Sequence, residues 1–307
     1  MILCCGEALI DMLPRNGAGG EALFAPHCGG AVYNTAIALG RLGAPAGFLS
    51  GISTDMFGAM LMDGLAASRV EADHVVRSDR PTTLAFVQLV NGQAKYAFYD
   101  ENTAGRMLAL SETGIIGPEV KALFFGGISL AVDPCGSTYE ALMLANAAGR
   151  LTMLDPNIRP GFIRDETAYR ARLSRMIAAA TIVKLSDEDL HWLEGPGFAG
   201  DLARSLLSRG PKVVLVTGGE EGAAAWFAGG EIHVPARRVD VVDTVGAGDT
   251  FNAGFLSGLA ARDALSPAAL EEMGEALIRP ALEMGVHAAA VTVSRAGANP
   301  PWASELA

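Results

Sequence analysis

The sequence predicts an α/β protein: a doubly wound three-layer sandwich with a mainly parallel central sheet, plus a small β-sheet lid. Three observations predict it. Short apolar runs bounded by turn residues recur along the chain, helical patterns of crossover length separate them, and one long β-rich segment breaks that rhythm. At 307 residues the chain exceeds a usual single domain, yet no Pro, Ser or Gly-rich run marks a linker. One unit over 1–307 with an appendage is therefore expected.

The apolar start MILCC reads as a buried first strand. It has no basic leader, and Glu7 and Asp11 interrupt it well short of a membrane-spanning length, so a cytoplasmic protein without a membrane partner is expected. Segment 31–42 follows as a helix and 46–52 as a strand. Segment 82–99, TTLAFVQLVNGQAKYAFY, has two β-rich arms around Asn91-Gly92, a strong hairpin signal. With 11–28 it would form the lid, excluding water from a reaction below it; an edge hairpin of the main sheet is the alternative. Leu84, Phe86 and Leu89 alternate as an apolar face of the hairpin would require. Beyond the hairpin, strands at 122–126, 151–155, 181–184 and 213–217 alternate with helices at 137–149, 166–180 and 202–209. Ligands of such a sheet bind outside the carboxyl ends of its strands.

Composition narrows the partners. With 23 Lys and Arg against 34 Asp and Glu, the net charge is −11, and no basic stripe is available for nucleic acid. An anionic substrate needs local positive charge. The cysteines Cys4, Cys5, Cys28 and Cys135 lack both disulfide-framework and zinc-ligand spacing, and read as reduced core thiols.

The chemistry is carried by VDTVGAGDTFNAGF, 242–255, at the junction between a loop and an apolar helix. Gly246, Ala247 and Gly248 let backbone N–H groups approach a phosphate, and the helix they open adds its positive end. Asp249 sits at the same helix start, where the dipole favours its ionised form. A carboxylate beside an anion hole suits phosphoryl transfer to a hydroxyl, with Asp249 as base. An ordinary N-cap is the alternative. No GxxxxGK[ST] or GxGxxG is present, which argues against a P-loop protein and a dinucleotide oxidoreductase.

That run, together with GGAVYNTAIALGRLG at 29–43, resembles the C-terminal and N-terminal signatures of the ribokinase-like, or PfkB, family of carbohydrate kinases, most nearly its bacterial fructokinases. GEALIDML, AFYDENTAGRML, LDPNIRPGF and VKLSDEDL extend the resemblance over essentially the whole chain. It implies Mg²⁺–ATP as donor and a primary hydroxyl of a small sugar as acceptor, with D-fructose the first expectation. A 2-keto-3-deoxygluconate kinase, a ribokinase and a non-catalytic sensor on the same fold remain alternatives. The resemblance also implies a homodimer that meets through the lid, at Leu84, Phe86 and Leu89.

Residue by residue, the resemblance implies Asp249 as base and Gly246, Ala247 and Gly248 as anion hole. Asp11, Gly29, Gly30 and Asn34 would hold the sugar, with Phe98 and Arg106 on the same side. Arg159 of DPNIRP would face the transferring phosphate or the sugar; a surface salt bridge is its alternative. Lys184 and Ser186, with Thr217, Gly219 and Gly222 of VTGGEEG, would serve the nucleotide. Asp243 and the Val245 carbonyl would belong to a K⁺ site, though Asp243 also reads as a turn cap. Asp187 and Asp189 would act on Mg²⁺ through water, or simply start a helix.

Overall fold

The chain begins in the middle of its own sheet. The computed structural model describes residues 1–17, 19–90 and 93–306, with the side chains of 88–90, 93–95 and 273 outside that description. Strand β1 (Ile2–Cys5) is wholly buried, and its side chains alternate between two cores: Ile2 and Cys4 enter one, Leu3 and Cys5 the other. A strand covered on both faces has no polar face to present, so its sequence is an unbroken apolar run.

From β1 the chain passes through β2 (Leu9–Asn16), β3 (Ala22–Gly29), α1 (Ala31–Arg41), β4 (Ala46–Leu49) and β5 (Gly51–Ser53). It continues through α2 (Met56–Ala67), β6 (Val70–Glu71), β7 (Val76–Ser78), β8 (Leu84–Val90) and β9 (Gln93–Tyr99). Strands and helices then alternate: β10 (Ala122–Gly126), α3 (Cys135–Asn146), β11 (Leu151–Asp155), α4 (Glu166–Ala179), β12 (Ile182–Ser186), α5 (Asp187–Glu194), α6 (Ala199–Leu207) and β13 (Val213–Thr217). The hairpin β14 (Ala223–Phe227) and β15 (Gly230–Val234) precedes α7 (Ala247–Ala260), α8 (Pro267–Met273) and α9 (Glu275–Val293).

The main sheet has the order β15-β14-β13-β12-β11-β10-β1-β4-β6. It is parallel from β6 through β13, and only the β14–β15 edge runs antiparallel. One core lies under α1, α2, α7, α8 and α9, the other under α3 to α6, which makes the three layers. The winding diverges at β1, which pairs with β4 on one side and β10 on the other. Such a switch point leaves a crevice outside the carboxyl ends of the strands.

A second sheet, β3-β2-β8-β9, stands apart from the first. Val90 pairs with Gln93, and the Asn91-Gly92 turn between them lies outside the described residues. Leu84 and Phe86 share one face of β8; the side chain of Leu89, expected with them, lies outside the described residues. The expected strand at 46–52 is two: β4 joins the main sheet, while β5 pairs with β7 in a separate two-stranded sheet. At that point Gly51 packs directly on residue 104, where an added Cβ would lie 2.1 Å from the Ala104 carbonyl oxygen.

Helix α7, which begins in the glycine turn, is pressed tightly onto α9. A Cβ on Gly254 would lie 2.8 Å from Gly285 Cα, and one on Gly258 2.7 Å from Ala281 Cα. Backbones this close tolerate no side chain between them. The four cysteines are free, three of them buried.

Candidate active site

A cavity of about 320 Å³ opens at the switch point, between the carboxyl ends of the central strands and the underside of the small sheet. Helices α1 and α7 both start at its wall, so two helix N-termini converge on one space. The α1 start depends on Gly30, which has φ 105° and would, with a Cβ, meet the Glu7 carbonyl oxygen at 2.9 Å. The α7 start depends on Gly246 in the left-handed region, φ 77°.

At the α7 turn, Val245 N–H donates to Asp243 Oδ1 and Ala247 N–H to the Thr244 carbonyl. The N–H groups of Gly246, Gly248 and Asp249 have no acceptor among the described residues. Unpaired donors at a helix start that faces a cavity fit an anion such as a phosphate. Lys184 stands against the same turn: a Cβ on Gly248 would lie 3.1 Å from its Nζ.

Asp249 is buried, and its Oδ2 accepts a 2.9 Å hydrogen bond from Asn34 Nδ2. Its carboxyl is pushed up to about 7, first by burial and then by the negative charges of Asp155 and Glu7; the Asn34 bond and Lys184 pull the other way. The expectation that the helix dipole would favour ionisation is thus reversed, because desolvation exceeds a partial charge at the helix end. A base poised near neutrality combines ionisation with proton affinity.

Asp11, on β2 of the small sheet, also lines the cavity, and burial raises its carboxyl to about 6. Gly29 lies across the strand pair: a Cβ there would fall 2.1 Å from Asp11 Oδ2. Phe98, as expected, lines the cavity from the small sheet; it stacks on Tyr96 at 5.9 Å and meets Phe162 edge-on at 5.0 Å. Arg159 lines the mouth, its Nη1 donating only to the Ile158 carbonyl among the described residues.

Other expected residues lie elsewhere. Arg106 is outside the cavity lining: its Nη1 pairs with Asp100 at 2.9 Å and its Nε donates to the Asp133 carbonyl. Asp187 is exposed at the first turn of α5. Asp189 is buried, where its Oδ1 accepts the Ile158 N–H at 3.1 Å, so it fastens the loop after β11 to α5. Neither lines this cavity, and among the described residues no group of three or more His, Cys, Asp or Glu could hold a metal directly. Ser186 caps α5 by accepting the Asp189 N–H.

Ser186 and Thr217 are register partners on the same sheet edge, beyond the cavity lining. Gly219 and Gly222 shape the following turn, with φ 56° and 96°. Asp243 is a turn cap: Oδ1 accepts from Val245 N–H and Oδ2 from Gly297 N–H.

Three carboxylate or amide residues of the cavity were not singled out as site residues. Glu7 is buried, accepting from Ala31 N–H at 3.0 Å and from Ser129 Oγ at 2.9 Å. It joins α1 to the loop after β10, and burial raises its carboxyl. Asp155 and Asn157 also line the wall, and Asn157 N–H donates to Asp155 Oδ1. A single acidic residue directly after the apolar first strand was the available signal for Glu7.

Residues 1–305 match the model of the pfkB family carbohydrate kinases. A fructokinase of Rhizobium leguminosarum bv. trifolii is 52% identical over 279 residues, which cover 91% of this chain and 86% of that protein. The crystal structure of a fructokinase from Xylella fastidiosa with bound ATP superposes with a TM-score of 0.89 at 29% identity, over 99% of this chain and 96% of that one. An aminoimidazole riboside kinase from Salmonella enterica, complexed with aminoimidazole riboside and an ATP analog, gives 0.85 at 25% identity, over 99% and 97%. The fold is ribokinase-like and the protein is a sugar kinase. This chain belongs to the pfkB family of carbohydrate kinases.

Proposed function

We propose that the protein transfers the γ-phosphoryl group of ATP to a primary hydroxyl of D-fructose. The observation that carries the reading is Asp249, a buried base held by Asn34 beside unpaired N–H groups of its own helix turn. The sugar lies against Asp11, Gly30 and Asn34, with Phe98 above it. Asp249 takes the hydroxyl proton, the sugar oxygen forms its bond to the γ-phosphorus, and the bond to the ADP oxygen breaks. Gly246, Gly248 and Asp249 N–H groups, with Lys184 and Arg159, offset the charge on the group in transit. The small sheet closes over the cavity and excludes water.

Mg²⁺ would enter with the nucleotide as part of the substrate and supply positive charge to its phosphates. A K⁺ ion beside the loop would draw on the Val245 carbonyl and on Asp243, whose carboxylate oxygens each keep a lone pair beside the one N–H bond they accept. Two copies associate through the exposed face of the small sheet, where Phe24, Phe86 and Tyr99 form an edge-to-face chain. Sedimentation of the wild type and of Phe24→Ser tests that; a monomeric wild type refutes it.

The substrate test is ADP release with Mg²⁺–ATP against D-fructose, D-ribose, tagatose, 2-keto-3-deoxygluconate and adenosine, with Asp249→Ala alongside. Turnover of fructose, abolished in the variant, is expected. Preference for the sugar acid would transfer substrate recognition to Arg159, because Arg106 is committed to Asp100. No turnover on any of them would favour a sensor.

A further inference from the structure

We propose that Asn252 is a positioning residue for phosphoryl transfer: through the Asp155 carboxylate, its amide holds the Lys184 ammonium against the Gly248 turn. The inference rests on the phosphotransfer reading above and adds to it a residue outside the cavity lining.

Asn252 follows Asp249 by three residues on α7 and is 1% exposed, among buried apolar neighbours on its own helix such as Phe251 and Phe255. Its Nδ2 donates to Asp155 Oδ2 at 2.7 Å, while its Oδ1 accepts nothing from the described residues. A buried amide with an unsatisfied oxygen is less stable than an apolar residue of similar volume. Packing therefore does not explain Asn252, and its one bond does.

That bond leads to the site. Asp155 Oδ2 accepts a second, 3.0 Å bond from Lys184 Nζ, and Asp155 Oδ1 accepts the Asn157 N–H at 3.1 Å. Three donors from α7, β12 and the loop after β11 thus fix one carboxylate. Both partners of the ion pair are buried, with side-chain exposures of 5% for Lys184 and 3% for Asp155. Because Asn252 shares the oxygen that Lys184 uses, the ammonium is tethered to one side while its other protons stay free. Gly248 keeps the space beside Nζ open, so those protons face the turn with the unpaired N–H groups. Asp249, Glu7, Asp189 and Arg159 are the other charged groups around this network.

The test is a double-mutant cycle of Asn252→Leu and Lys184→Met, read as kcat, KM for sugar and Kd for Mg²⁺–ATP. In the wild-type background Asn252→Leu is expected to lower kcat about 10-fold with KM for sugar within about 2-fold, and in the Lys184→Met background to change kcat by less than about 2-fold. Asn252→Leu fills the same space, so its thermal unfolding should stay within a few degrees of wild type. Asn252→Ser, which keeps a shorter donor, serves as second variant if the leucine chain does not fold. An equal loss in both backgrounds, or a loss that only follows folded fraction, overturns the proposal. A wild type that turns over no sugar refutes the phosphotransfer reading instead, and the cycle is then decided on the Kd for Mg²⁺–ATP alone.

Discussion

The side-chain amide of Asn34 donates to Asp249 Oδ2 across 2.9 Å, joining two residues 215 positions apart in the chain. Each lies in the first turn of a helix, and the bond locks the two helix starts around one cavity. Thr35 lies beside it, its single hydroxyl proton shared between the Ala31 carbonyl at 3.0 Å and the Asp249 carbonyl at 3.3 Å. A hydrogen bond to a carboxylate favours its charged form, so Asn34 opposes the burial that lifts Asp249 to about 7.

Asn34→Ala removes that support, and the carboxyl of Asp249 should rise above its wild-type value. The acid limb of kcat/KM, expected near pH 7 in the wild type, should move upward. Activity at pH 7 should fall about 5-fold for the first unit of displacement and about 10-fold for each further unit, and recover toward pH 9. A pH profile that keeps its wild-type acid limb would refute the assignment of Asp249 as the titrating base.

Asp249→Asn should separate activity from stability. Loss of the base should lower kcat by about 100-fold to 10,000-fold. The folded-state value, about 7, lies above the ordinary 3.8, so between those values the folded chain binds more proton than the unfolded one. Wild-type stability from this group therefore declines as pH rises through that window. The variant carries no such charge and should melt at least about 2 °C higher at pH 8, with the gain vanishing as pH approaches 4. Differential scanning calorimetry across that range checks the sign.

Gly29→Ala should act on the sugar alone. The added methyl would overlap Asp11 Oδ2, at 2.1 Å, and force that carboxylate aside. KM for the sugar should rise about 10-fold, with Kd for Mg²⁺–ATP within about 2-fold of wild type. A variant with unchanged sugar KM would remove Asp11 from substrate binding.

The layered fold was legible because its signals are local. β1 and β13 are buried on both faces and read as unbroken apolar runs, while α1 and α4 show crossover length between them. The strand at 46–52 was read as one because periodicity does not say which partner a segment pairs with, and its two halves pair in different sheets. The glycine turn was legible too, since Gly246 and Gly248 have no side chain and can be there only for what the backbone does. Arg106 and Asp189 were harder: a charged residue looks the same in sequence whether it faces a ligand or, like these, pairs with Asp100 or the Ile158 N–H.

By itself the sequence determined the alternation of strands and helices, the small sheet and the residue types around Asp249, because each depends on neighbours within a few positions. Only the tertiary structure decided which charges meet. Glu7, Asp155 and Asp249 come from the ends of β1 and β11 and the start of α7, and the switch point of the sheet gathers them with Lys184 and Asn34. The ionisation of Asp249 depends on burial and on charges remote in the chain. Desolvation and Coulomb energy depend on distance in space, and that distance is fixed only when the sheet has formed.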